Sequence, residues 1–310
     1  MNEIENIASA HLGRASDGSL VKPYTTPDAI DASLLVAIPR QLNRNQYNIE
    51  SNMLPFVGFD AWNCYEVSAL CDNGYPANYV VKITYPSDNE FIVESKSLKL
   101  YLNSFNMHKL GSTVNFVSSE IKNKIHADLE NLLETSVNVS IFDAADDHYK
   151  YSYPAFEEFQ NIEDQVDYTS MQFDAYNEDP AILKINEIKE TKPFSYFSTA
   201  LRSNCRVTNQ PDWGDVFIYM DSNLYPTKES LLQYIVSMRK ENHFHEEICE
   251  CIYKRLWDIF DPRELLVACM YTRRGGIDIN PVRASNYELL IGKAKNLLNK
   301  DVIVQKTMRQ

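Results

Sequence analysis

Ser203-Asn204-Cys205-Arg206-Val207-Thr208-Asn209-Gln210-Pro211-Asp212-Trp213-Gly214 is the stretch around which the rest of this chain reads. It sets a thiol, Cys205, seven residues before a carboxylate, Asp212, within polar residues that follow no helical or strand period. A thiol nucleophile needs a neighbour that lowers its pKa or takes its proton. A catalytic acid needs an apolar wall that keeps it protonated near neutral pH, and Pro211 and Trp213 supply one if the indole folds over Asp212. The same residues also fit a small buried hydrophobe followed by a turn. By itself the stretch leaves both open, and the rest of the chain must choose.

At 310 residues the chain is long enough for one large domain or two ordinary ones, and its 44% hydrophobic content supports a real core. A net charge of −13 argues against direct binding to nucleic acid or to anionic membranes, which need a basic face. Apolar runs such as 34–38 and 265–270 are too short to span a bilayer, and the acidic start Met1-Asn2-Glu3-Ile4-Glu5 does not read as a signal peptide. Six cysteines are scattered without the dense spacing of a disulfide scaffold. Cys249 and Cys251 would point about 200° apart on a helix, so they make no metal pair. The expectation is a cytoplasmic protein in a reducing compartment, with no metal.

Residues 1–60 read as an N-terminal arm, broken by Pro23, Pro27, Pro39 and Pro55, that packs on something else. A first module is expected over 61–150. It would hold strands at Tyr65 to Leu70 and Tyr79 to Tyr85 around the turn Asp72-Asn73-Gly74, and a further strand from Phe91. Next comes a helix capped by Ser118 with Ile121, Ile125, Leu129 and Leu132 on one face, then a strand through Val137, Val139 and Ile141. The chain then turns acidic and irregular, and 151–185 reads as a solvated linker. Over 186–310 the plan repeats: strands near Phe194 to Leu201 and Val216 to Met220, a helix after Thr227, a second from near Asn242 to Pro262, and a buried strand from Leu265 to Tyr271. Strands and helices in this order, written twice, predict an α+β fold of two similar modules.

Three further stretches carry chemistry. Glu94-Ser95-Lys96-Ser97-Leu98-Lys99-Leu100-Tyr101 leaves a strand and crowds charges and hydroxyls beside apolar neighbours, although charges on an edge strand also discourage aggregation. In Asn242-His243-Phe244-His245-Glu246-Glu247, His245 and Glu246 occupy the first turn of the helix, off its apolar stripe, where a carboxylate also suits the helix dipole. Arg273-Arg274-Gly275-Gly276 lets a guanidinium and free backbone N–H groups reach one anion, or simply makes a turn.

Together the four stretches resemble the NADPH-dependent 7-cyano-7-deazaguanine reductases, nitrile reductases of queuosine biosynthesis, in their long two-module form. Glu94 to Tyr101 is similar to that family's signature, and Ser-Asn-Cys-x-Val-Thr-Asn-Gln-Pro-Asp-Trp-Gly accompanies it. The resemblance implies two tandem tunnelling-fold modules with antiparallel sheets and paired helices, a homodimer, and NADPH as cofactor. It implies that Cys205 attacks the nitrile of 7-cyano-7-deazaguanine to form a thioimide and that Asp212 supplies the proton. Glu246 would grip the ring edge beside His245, with Glu94 as a second carboxylate and Val93 and Ser95 lining the substrate. Ser95, Lys96, Arg274 and Gly275 would surround NADPH. The fold also hosts zinc-dependent cyclohydrolases, and a non-catalytic purine-binding module would keep Glu246; neither needs Cys205 with Asp212. No Gly-x-Gly-x-x-Gly occurs, so a Rossmann module is not expected.

Overall fold

In the computed structural model, which describes residues 29–143, 151–152, 156–186, 193–206 and 210–304, one sheet runs through both halves of the chain. The Val57–Cys71 and Pro76–Pro86 strands pair antiparallel, and Asn138–Asp143 adds to their outer edge. The turn between the first two forms where expected: Gly74 adopts φ 89°, and Asn73 Oδ1 accepts from the Tyr75 amide at 3.0 Å. In the second half Pro211–Asp221 lies between Phe194–Ser198 and Glu264–Tyr271. The Ile277–Ala284 strand then joins the halves by pairing with Val57–Cys71 from Cys64 to Val57, so the described strands make an 11-stranded, largely antiparallel sheet.

That joining strand and the helix behind it, Tyr287–Leu298, have no counterpart in the sequence expectation. Ile277–Ala284 is buried along its whole length despite carrying Asp278, Asn280, Pro281 and Arg283, which break any apolar alternation. Its polar groups are matched by others: Asn63 donates to Asp278 at 2.7 Å, and Arg283 to Asp60 at 2.9 Å. Composition cannot show such pairing before the strands meet.

A long helix packs on each half of the sheet, besides Tyr287–Leu298. Val114–Leu133 buries Val117, Ile121, Ile125, Leu129 and Leu133, each worth roughly 1.5–3 kcal/mol over exposure. Its cap is Thr113, which accepts from the Phe116 amide at 3.2 Å; the expected cap, Ser118, lies inside the helix and donates to the Asn115 carbonyl. Val117 continues the apolar stripe one turn upstream, which moves the start. In the second half His245–Phe260 buries Ile248, Ile252, Leu256 and Phe260, and ends at Asp261 in the left-handed region just before Pro262.

The described part of the arm packs on this chain itself. Ala37–Pro39 pairs with Phe91–Val93, and a buried network ties the segment to both halves. Arg40 reaches Asp60 at 2.6 Å, Arg44 reaches Glu250 at 2.9 Å, and Arg283 bridges the same two carboxylates at 2.9 and 3.0 Å. Burial would raise the Glu250 carboxyl, but Arg283 and Arg44 outweigh it and hold the group at about 2. The stretch read as a solvated linker differs too where it is described. Phe156 stacks on Phe217 with ring centroids 4.5 Å apart, and Ile162 and Leu183 join the core. Residues 1–28 of the arm and 144–150 lie outside the described residues.

Candidate active site

Cys205 ends the Arg202–Cys205 strand, which forms a hairpin with Pro211–Asp221, with Ser203 opposite Asp212. The Cys205 amide donates to the Gln210 carbonyl at 2.8 Å and closes the hairpin end. The expected aperiodic loop is therefore two paired strands, and the intervening 207–209 lie outside the described residues. Pairing also overturns the tryptophan wall. Consecutive strand residues face opposite sides, so Asp212 is buried while Trp213 is 38% exposed, between the guanidinium groups of Arg202 and Arg239.

Polar groups surround the Asp212 carboxylate instead. Arg274 donates to its Oδ1, and His245 Nε2 lies 3.5 Å from its Oδ2. Burial alone would raise the Asp212 pKa; the charges and hydrogen bonds of His245 and Arg274 outweigh burial and hold it below the usual carboxylate range. The His245 ring is fixed against Tyr271, with centroids 4.0 Å apart.

Glu246 follows in the first turn of the helix and is 3% exposed. Its Oε1 has no hydrogen-bond partner among the described residues. Burial, aided by the charge of Asp60, pushes its carboxyl up to about 8. An acceptor that is buried, unpaired and set in a pocket wall is poised for a donor from a ligand.

The signature stretch is a helix, Ser95–Asn103, and not the continuation of a strand. Glu94 caps it: its Oε2 accepts from the Ser97 amide at 2.8 Å, and Ser97 Oγ returns a bond to the Glu94 carbonyl at 2.7 Å. Helical spacing places Ser95, Lys96 and Lys99 along the pocket. Burial and the nearby Arg274 charge lower the Lys99 pKa. Neither Lys96 nor Lys99 has an ion-pair partner among the described residues.

One pocket gathers Val93, Ser95, Lys96, Cys205, Asp212, His245, Glu246 and Arg274. Two expected residues do not line it. One oxygen of the Glu94 carboxylate, Oε2, is taken up by the helix cap. Gly275, at φ 56°, sits behind Lys99, whose Cδ would lie 3.1 Å from a Cβ added there. Sequence reasoning missed Trp62, His243, Phe244, Thr272, Ile277 and Ile279 as lining residues, and gave Lys99 no role. Lys99 was within reach, because Lys96 and Lys99 share a face at i, i+3 once the stretch is read as helical.

Residues 26–141 match the sequence profile described as nitrile reductase, 7-cyano-7-deazaguanine-reductase N-term, and residues 211–288 match a QueF-like protein profile. A relative from Psychrobacter cryohalolentis, named NADPH-dependent 7-cyano-7-deazaguanine reductase, is 37% identical over 85% of this chain and 92% of its own length. The chain belongs to the 7-cyano-7-deazaguanine reductase family. Relatives of the same name from Cupriavidus metallidurans and Rickettsia felis are 38% and 37% identical, covering 86% and 91% of this chain and 92% and 98% of their own. The profile matches include both the Ser95–Asn103 helix and the Asp212 strand, so family membership spans the two sides of the pocket.

Proposed function

We propose that this pocket reduces the nitrile of 7-cyano-7-deazaguanine to the primary amine of 7-aminomethyl-7-deazaguanine with NADPH, through a thioimide on Cys205. The observation that carries the reading is the meeting of a half-buried thiol, a paired acid and an unpartnered buried carboxylate in one pocket. Glu246, when ionised, accepts two parallel hydrogen bonds from the adjacent N–H donors of the ring edge. That places the nitrile carbon toward Cys205. Sulfur adds to the carbon while the nitrile nitrogen takes a proton, which converts a poor hydride acceptor into an imine-like centre.

Asp212 carries that proton, taking the one the Cys205 thiol gives up and passing it to the nitrogen, with His245 behind it. His245 and Arg274 together keep Asp212 ionised where it now lies; with Arg274 withdrawn, one of the two influences opposing burial is lost and the balance shifts toward the neutral acid. The ammonium groups of Lys96 and Lys99 and the guanidinium of Arg274, whose side chain is 31% exposed, fit the phosphates of NADPH, with Ser95 beside them and Gly275 packed behind Lys99. NADPH, when bound, supplies hydride to the carbon. Among the described residues no set of three His, Cys, Asp or Glu side chains converges as metal ligands, as a cyclohydrolase of this fold would need.

The same reading takes the halves as two tunnelling-fold modules, 61–150 and 186–310, joined through 151–185, in a homodimeric cytoplasmic enzyme. No described helix is long and apolar enough to cross a membrane, and the net charge of −13 speaks against direct nucleic-acid binding.

The test is NADPH oxidation with 7-cyano-7-deazaguanine. Nitrile to amine takes four electrons and a hydride carries two, so two NADPH are consumed for each amine formed. No oxidation, or release of an amide or acid, overturns the proposal.

A further inference from the structure

Arg206, directly after the thiol, is 4% exposed, although it stands at the end of a hairpin strand. Its Nη2 lies 3.1 Å from Glu247 Oε2, 3.1 Å from Asn43 Oδ1 and 2.7 Å from His243 Nδ1. Glu247 directly follows Glu246. The same Oε2 accepts from the Phe244 amide at 2.9 Å, which caps the helix, and lies 3.3 Å from His243 Nδ1. His243, in turn, stands level with Cys205 in a short parallel ladder. One carboxylate oxygen thus gathers a group beside the thiol, a group on the neighbouring strand and the first turn of the helix bearing Glu246.

Among the described residues, Arg206 Nε and Nη1 have no hydrogen-bond partner. Buried unsatisfied donors destabilise a fold, and an apolar side chain of similar length would avoid that penalty. An arginine here is better explained by what Nη2 holds than by its contribution to stability.

We infer that Arg206 is a positioning residue, which ties the strand end bearing Cys205 to the helix turn bearing Glu246 and so sets the spacing between nucleophile and ring-binding carboxylate. A nitrile gripped at one end of a rigid ring reaches the sulfur only if that spacing is right. Misplacement by about 1 Å is enough to slow a reaction roughly 100-fold. The inference rests on the reductase reading for its substrate, but the geometry it concerns is independent of that reading.

The experiment compares Arg206→Met and Arg206→Lys with the unmodified protein. With NADPH withheld, intact mass spectrometry follows the rate of 7-cyano-7-deazaguanine adduct formation; calorimetry measures reversible ring binding in the Cys205→Ala background, with and without Arg206→Met. The expected result is adduct formation slowed by roughly 10- to 100-fold in Arg206→Met, ring affinity held within about threefold, and most of the rate recovered in Arg206→Lys, whose ammonium can still pair with Glu247. An unchanged rate overturns the inference, as does a loss of ring affinity matching the loss of rate, or a lysine variant as slow as methionine. If Arg206→Met does not fold, Arg206→Lys and Arg206→Gln carry the same comparison, with the slower rate expected in glutamine. If the unmodified protein forms no adduct, the reductase reading fails by itself. Alkylation of Cys205 by iodoacetamide then decides: the rate must change in Arg206→Met and recover in Arg206→Lys, and equal rates in all three overturn the inference.

Discussion

Oδ2 of Asp212 lies 3.5 Å from Nε2 of His245, and Arg274 holds the other carboxylate oxygen. The acid of this pocket is therefore shared between two side chains of different reach. His245 is anchored on Tyr271, whereas the Arg274 side chain is 31% exposed.

Removing Arg274 should change how Asp212 titrates. The folded pKa is depressed, so the acid is ionised at neutral pH, and its contribution to stability is present above its ordinary value and lost as pH falls through the folded one. Arg274→Met takes away one of the two charges opposing burial. The Asp212 pKa should rise, and the high-pH limb of adduct formation without NADPH should move to higher pH. A limb that stays in place removes Arg274 from control of the acid.

Glu246 makes ring binding depend on pH. Its folded pKa, about 8, lies above the ordinary 4.5, so the empty protein holds an extra proton between those values and loses stability as pH rises through them. A ring edge of N–H donors selects the ionised carboxylate. Calorimetry should show affinity rising with pH up to about 8 and levelling above it. Glu246→Gln should flatten the profile and weaken binding by roughly 2–4 kcal/mol; an unaltered profile would remove Glu246 from the site.

Cys205 should be the cysteine that takes the substrate when NADPH is withheld. Cys249, Cys251 and Cys269 are buried in the core, Cys64 and Cys71 in the first half of the sheet, and Cys205 alone among the six is half-buried. Peptide mapping should find one added substrate mass, on the peptide containing Cys205. Cys205→Ala should lose adduct and reduction yet bind the ring. Normal turnover by the alanine variant would falsify the covalent route.

Glu250→Gln should destabilise the fold and not merely the pocket. Glu250 neutralises Arg44 and Arg283, and all three side chains are buried; breaking one side of a buried pair typically costs about 3–5 kcal/mol. Its pKa of about 2 means that this stabilisation is complete above 4.5 and disappears as pH falls through 2. Urea unfolding at neutral pH should show the loss, and a midpoint shift worth under about 1 kcal/mol would mean the network contributes little.

The residue types needed for thiol chemistry, the helix stripe of Ile121, Ile125 and Leu129, and the hairpin turn at Asn73-Gly74 were all legible in the chain itself. Each depends on neighbours a few residues away, where period and turn chemistry act. The strand Ile277–Ala284 was not, because its polar residues become buryable only when Asn63 and Asp60 arrive from more than 200 positions earlier. The same reason hid the fate of Glu94 and Trp213. Whether a carboxylate caps a helix or faces a ligand, and which side of a strand an indole takes, depends on backbone geometry that composition does not carry. The chain by itself determined which groups were available; tertiary structure decided which of them share the pocket, because burial and charge act through space and not along the sequence.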